Sequence, residues 1–190
     1  MSGPSPIPFG EGGSSIETGR LLLRSWRDGD GVLFARATNT PEVMEYLGGV
    51  EDPEALAGTA GRLDAIEKEH GFTFWAIERK EDKAMLGFCG IKPANVGPLL
   101  GEIEIAWRLR HDAWGQGYAR EAAEASLAWA WANLDVPRIV AITVPANRRS
   151  WRLMERLGME RRPDMDFDHP DFPPGHRLRS HITYAIERPS

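Results

Sequence analysis

The sequence predicts a mixed α/β domain, and three observations carry that prediction. Residues 102–110 alternate, with Ile103, Ile105, Trp107 and Leu109 on one side and Glu102, Glu104, Arg108 and Arg110 on the other, Ala106 being the exception. A period of two marks a half-buried strand. Residues 118–134 then repeat small and apolar side chains at helical spacing: Ala119, Ala122, Ala123, Leu127, Ala130, Trp131 and Leu134, ending ahead of Pro137. Residues 138–144 form a short β-branched run, Ile139, Val140, Ile142, Thr143 and Val144. Strand, helix and strand in that order call for a right-handed crossover. The chain of 190 residues is one ordinary domain in length, able to bury roughly 70% of its unfolded surface.

The remaining elements follow from local signals. Residues 2–15 are mostly Ser, Gly and Pro and bury little. We expect a disordered tail over 1–16 and one domain over 17–190, with order from Thr18. Leu21, Leu22 and Leu23 lead to Trp26 as a first strand. Asp28 or Asp30 is placed to cap a helix carrying Val32, Leu33, Phe34 and Ala37. Thr40 before Pro41 starts another over 42–47. One long helix is expected over 53–70, with Leu56, Ala60, Leu63 and Ile66 on one face. Phe72, Phe74 and Ala76 then switch to strand, a turn follows at 80–83, and 86–91 is strand again. A helix over 148–157 is stopped by Gly158. Four prolines and four aspartates make 163–176 a long loop, and 181–186 is the last strand.

Composition excludes several classes. The single cysteine, Cys89, cannot close an internal disulfide and reads as a small buried hydrophobe. With five histidines and no Cys-rich spacing, a zinc module is excluded. His169, His176 and His181 lie near aspartates but match no ligand pattern, so no metal is expected. A net charge of −5 argues against a general nucleic-acid binder. No apolar run approaches the ~20 residues of a membrane helix, and the start lacks a basic, apolar leader. The expectation is a cytoplasmic protein with no nucleic-acid or membrane partner.

The most informative segment joins the alternating strand to the long helix through Gly115 and Gly117. A helix start presents unpaired N–H groups and the positive end of the dipole, and two glycines let a bulky anion approach. The charge agrees. Residues 108–156 hold eight arginines, no lysine and five Asp or Glu, a local +3 against −8 for the rest of the chain. Arginine forks suit phosphate oxygens. Tight-turn geometry alone would also place glycines here. A P-loop is absent, because no Gly-Lys is followed by Ser or Thr. A dinucleotide fold fails as well. Arg120 takes the third glycine position, and the next strand runs out at Thr143, Val144 and Pro145 with no acid for ribose.

Several stretches match, in order, those of one family: RLLLR at 20–24, PEVMEYL at 41–47, LGFCG at 86–90, EIAW at 104–107, WGQGYARE at 114–121, NRRS at 147–150 and ERLGM at 155–159. With these the sequence resembles the GNAT-superfamily N-acetyltransferases, above all the branch of ribosomal-protein N-terminal acetyltransferases. The resemblance covers nearly all of 17–188. It implies a mixed, mostly antiparallel central sheet with splayed middle strands, flanked by helices. It implies acetyl-CoA as co-substrate and direct transfer of acetyl to a primary amine in a ternary complex. It also admits a homodimer. Two departures stand out. Asp112 replaces the Gln or Arg that often precedes the glycine turn, so it is expected to face solvent or cap the helix. No tyrosine lies in the helix after the second splayed strand, since the chain has only Tyr46, Tyr118 and Tyr184. The branch has serine there, matching Ser150. These departures keep open an inactive module that binds acyl-CoA.

Acetyl transfer needs a neutral amine, a polarised carbonyl and a proton for the departing thiolate. An α-amine is about a quarter neutral at pH 7.4 and a lysine amine only about 0.1%, so an N-terminal acceptor needs only a modest base. Glu104 is the candidate base and Glu102, on the same face, its alternate; both also fit plain solvent-facing positions. By resemblance, the backbone at Leu109 polarises the carbonyl, and Arg110, Trp114, Gly115, Gln116, Gly117, Tyr118, Ala119, Arg120, Asn147 and Arg152 bind cofactor. Asn147 holds the pantetheine amide or a water and Ser150 donates to sulfur, although Asn and Ser also suit a helix start. Arg148 and Arg149 are further phosphate candidates, and Trp107 flanks the cofactor channel or fills core. Protein N-termini, polyamines, antibiotics and amino-acid amines all remain open as acceptors.

Overall fold

The computed structural model describes residues 15–189. Strand β1 (Ser15–Glu17) pairs with β2 (Leu21–Arg24), so pairing starts ahead of Thr18. The rest of the expected disordered tail, 1–14, lies outside the described residues. Strands β3 (Phe74–Arg79) and β4 (Met85–Pro93) extend the sheet antiparallel, and β5 (Ile103–Leu109) follows. Helix α5 (Tyr118–Asn133) crosses to β6 (Arg138–Thr143), which runs parallel to β5. Strand β9 (Ser180–Glu187) pairs antiparallel with β6, and the short β7 (Glu160–Arg161) lies against β9. The sheet order is β1-β2-β3-β4-β5-β6-β9-β7, mixed and mostly antiparallel as expected.

Both faces are covered, which is why β3 and β4 are almost continuously buried rather than alternating. Helix α5 packs Tyr118, Ala122, Ala123, Leu127 and Ala130 on one face, over Trp75, Cys89, Ile105 and Leu109. Burial pushes the Cys89 thiol up to about 12, so it stays protonated and inert near neutral pH. The other face carries α1 (Asp30–Thr38), α3 (Pro53–Ala57) and α4 (Thr59–His70), whose Phe34, Ala35, Leu56, Ala60 and Leu63 cover Phe74, Ala76 and Phe88.

Several expectations are corrected. The helix expected over 53–70 is two, α3 and α4, divided at Gly58. Helix α2 (Pro41–Met44) ends early, though Thr40 Oγ1 accepts from Val43 N–H as a cap at 3.4 Å. Neither Asp28 nor Asp30 caps α1 by its side chain, and Gly29 occupies that position. Asp30 is buried instead, with Arg24 Nη1 donating to its Oδ2 at 2.6 Å while Arg24 Nε donates to Glu78 at 3.0 Å. Of that run Val32 and Leu33 face outward, Ala37 is half-buried and only Phe34 enters the core, joined there by Ala35. The loop at 163–176 contains strand β8 (Phe167–Asp168), paired with β9. Gly87 answers to close approach, since a Cβ there would meet the Arg108 carbonyl oxygen at 1.9 Å.

Candidate active site

The site begins where β5 and β6 part. Their only register pair is Glu104 with Val140, whereas β4 and β5 pair from Gly87 through Pro93. Beyond Glu104 the two strands form a fork that opens toward Leu109 and Thr143. Arg110 N–H donates to the Leu86 carbonyl at 2.8 Å, toward β4. Successive amides of a strand point in opposite directions, so the Leu109 N–H faces the fork. Trp114 Nε1 donates to the Leu109 carbonyl at 2.9 Å and pins the fork's open end.

The turn beside it is shaped by positive φ, +74° at Gly115 and +82° at Gly117, with open space where a Gly115 Cβ would lie. The amides of 115–120 donate to no carbonyl or side chain among the described residues. A row of unpaired N–H groups at a helix start is a built anion cradle. The turn is held from outside. Gln116 Nε2 donates to the Asp112 carbonyl at 2.7 Å, and Arg20 Nη1 to the Gln116 carbonyl at 2.9 Å. Arg20 also lies over the Tyr118 ring, 4.3 Å from its centroid, and pairs with Glu121 at 2.7 Å.

A cleft of about 630 Å³ opens at the fork, lined by Trp107, Arg108, Leu109, Trp114, Gly115, Asn147, Ser150, Arg152 and parts of α2. One wall is α6 (Arg148–Arg156), entered from β6. Asn147 is its N-cap, Oδ1 accepting from Ser150 N–H at 3.3 Å. Among the described residues the Ser150 hydroxyl has no hydrogen-bond partner, and Arg148, Arg149, Arg152 and Arg156 of this wall meet no carboxylate. Arg149 lies 4.6 Å over the Trp114 ring and bridges α6 to the glycine turn.

The predicted residues divide accordingly. Leu109, Trp114, Gly115, Asn147, Ser150 and Arg152 line the cleft, as do Trp107, Arg148 and Arg149. Gln116, Gly117, Tyr118 and Ala119 belong to the cradle and helix start behind it. Arg120 is drawn away, donating to Glu124 at 2.7 Å along the helix surface. Arg110 is turned to Asp112, 2.5 Å away, and that guanidinium holds the Asp112 carboxyl below the usual range. Asp112 thus does not cap the helix, and its side chain is 66% exposed, the solvent-facing alternative. Glu104 sits outside the cleft lining, at the apex of the fork. It is 8% exposed and 3.2 Å from its cross-strand partner Lys92. Glu102 is bound by Arg138 at 2.5 Å. Neither glutamate is the free solvent-facing side chain that alternation allowed.

Sequence reasoning gave no role to Arg20, Tyr46, Arg108 or Arg156. Arg20 and Tyr46 lay inside matched stretches. Alternation puts Arg108 on the polar side of β5, yet it stacks between Phe34 and Phe88, 5.6 and 5.5 Å from their centroids, and its buried Nε is unpartnered. Burial lowers its pKa to about 10, against the distant pull of Glu51.

Residues 20–160 match the family model described as an acetyltransferase (GNAT) domain. The chain belongs to the GNAT acetyltransferase family. As a GNAT acetyltransferase it is an acyltransferase, and its sheet is that of the family. It is 33% identical over 148 residues to YkkB of Bacillus subtilis, covering 77% of this chain and 85% of that one. It is 32% identical over 176 residues to YnaD of the same organism, an uncharacterized N-acetyltransferase, covering 90% and 95%. A GNAT-family acetyltransferase from Bacillus anthracis superposes with a TM-score of 0.74 at 25% identity, covering 92% of this chain and 99% of the other. The ribosomal-protein-S5-alanine acetyltransferase of Vibrio fischeri shares the fold, with a TM-score of 0.66, 17% identity and coverage of 92% and 97%. Among the described residues of this GNAT protein no group of three or more His, Cys, Asp or Glu is placed to hold a metal, and no helix is long and apolar enough to cross a membrane.

Proposed function

We propose that this acetyltransferase uses acetyl-CoA and passes the acetyl group directly to a primary amine. The observation that carries the reading is the alignment of three features: a fork between β5 and β6, the row of unpaired amides at 115–120 beside its mouth, and a wall of arginines free of carboxylates. The diphosphate would rest on the amides of 115–120, with Arg148, Arg149 and Arg152 near the remaining phosphate. When bound, acetyl-CoA supplies an acetyl group already activated as a thioester.

The chain's own groups have distinct tasks. The Leu109 N–H, facing the fork, donates to carbonyl oxygen as negative charge gathers there. Glu104, at the apex, takes the amine proton through water. Ser150 donates its hydroxyl proton to sulfur and recovers one from solvent. Asn147 orients Ser150 through the cap. A bond from amine nitrogen to acetyl carbon forms as the carbon–sulfur bond breaks. A protein N-terminus, as acetylated by the ribosomal-protein branch, and a small-molecule amine are both acceptors this arrangement accommodates.

The test is thiol release. With acetyl-CoA and a panel of amines, wild type liberates free CoA, and Ser150→Ala lowers kcat about 100- to 10,000-fold, the span of a proton donor, with KM for acetyl-CoA unchanged. Stabilisation by acetyl-CoA without any thiol release would leave only a binding module.

A further inference from the structure

Arg108 is a cation of the cleft that the cofactor reading does not use, and unlike Arg156 it lies on β5 rather than on the α6 wall. Its side chain leaves β5 on the face toward α1, opposite Leu109 and α5, so it points away from the cradle side of the strand. It sits directly across from Phe88 in the β4–β5 register, and the rings of Phe34 and Phe88 hold the guanidinium in place. Among the described residues it has no carboxylate partner, and its Nε is buried without any acceptor. Glu42 and Glu45 of the α2 region line the same cleft, yet neither reaches it.

A largely buried guanidinium with no contacting carboxylate, only the distant charge of Glu51, is costly, and an orphaned buried donor asks for an explanation. The simplest completion is an anion supplied from outside, in a cleft that also presents Glu42 and Glu45, acids suited to an ammonium. Resting on the acetyl-transfer reading above, we propose that the amine acceptor carries a carboxylate, received by Arg108, while its amine end lies toward Glu42, Glu45 and the fork. The acceptor is then zwitterionic, an amino acid or a peptide with an acidic residue beside its N-terminus, rather than a polyamine.

Free α-amino acids, their carboxamides, peptides with Asp or Asn at the second position, and polyamines are assayed with acetyl-CoA for thiol release. Wild type should favour a carboxylate-bearing member over its amide at least tenfold in kcat/KM. The free amino acids and the Asp peptides separate the two sources. Arg108→Met, which keeps the stem packed on the rings, should erase that preference by raising KM for the acid alone. Arg108→Lys should restore part of it, and stabilisation by acetyl-CoA should persist in both variants, showing that they fold. Binding of N-acetyl amino acids and of their amides to the CoA-loaded protein, by calorimetry, reads the same pocket without turnover. Equal or better use of amides or polyamines, or a loss in Arg108→Met that is the same for acid and amide, overturns this inference and leaves acetyl transfer intact. Arg108-dependent binding of N-acetyl acids without thiol release from any amine keeps the anion pocket and overturns the catalytic reading. Neither release nor binding overturns both.

Discussion

Gly117 answers two demands at once. Its φ of +82° lies where a Cβ is strained, and its amide belongs to the unpaired row. The two demands separate by substitution. Gly117→Ala should cost about 1–2 kcal/mol of stability and still be stabilised by acetyl-CoA. Gly117→Glu should lose that stabilisation altogether, because a carboxylate would stand where the diphosphate must rest. Thermal denaturation with and without the ligand distinguishes them, and an equal ligand-induced shift in both would remove the anion from this turn. The glycine pair was visible in the sequence, but the fate of the neighbouring charges was not. Arg110 and Arg120 looked like phosphate ligands because their types and positions fit. Each instead has a carboxylate on its own segment, two or four residues away, within hydrogen-bond reach. Arg108 erred the other way. Alternation gave its face correctly, but not that α1 covers that face with Phe34.

At the level of elements, the start of α5 is tied to the β1–β2 turn through Glu121. Burial works against its charge. The Thr18 hydroxyl at 2.5 Å, the Arg20 amide at 2.9 Å and the Arg20 guanidinium more than compensate, and hold its pKa below the ordinary carboxylate value. A group depressed in the folded state stabilises above its unfolded pKa, ~4.3 for Glu, and that stabilisation is lost as pH falls through the lower folded value. Melting temperature should therefore decline more steeply below about pH 4.3 in wild type than in Glu121→Gln. Parallel slopes would mean that the contact contributes nothing to folding. The element boundaries show what sequence pattern can carry. Strands β5 and β6 and helices α5 and α6 were recognised because period and terminators agree, with Pro137 and Gly158 in the expected places. The division at Gly58 was hidden, because the apolar face of Leu56, Ala60 and Leu63 runs on across the break. Strand β8 was hidden because its two residues owe their pairing to β9, at His181 and Ser180, and not to their own propensity.

For the molecule as a whole, the fold followed from alternation, helical periodicity and the order of matched stretches, since these report burial, which dominates the free energy. The cleft was legible only in part. Asn147, Ser150, Leu109 and the glycines were named, but the fork depends on β5 and β6 pairing at one position alone, Glu104 with Val140, a property of two strands separated by a whole helix. The placement of Glu104 at its apex, ion-paired with Lys92, likewise depends on cross-strand register. The account stands on the amides of 115–120 gripping the cofactor, and amide hydrogen exchange reads them directly. With saturating acetyl-CoA, the 115–120 segment should slow its exchange at least tenfold, while the surface of α4 is unchanged. Exchange at 115–120 that is indifferent to a ligand shown to bind would contradict the account.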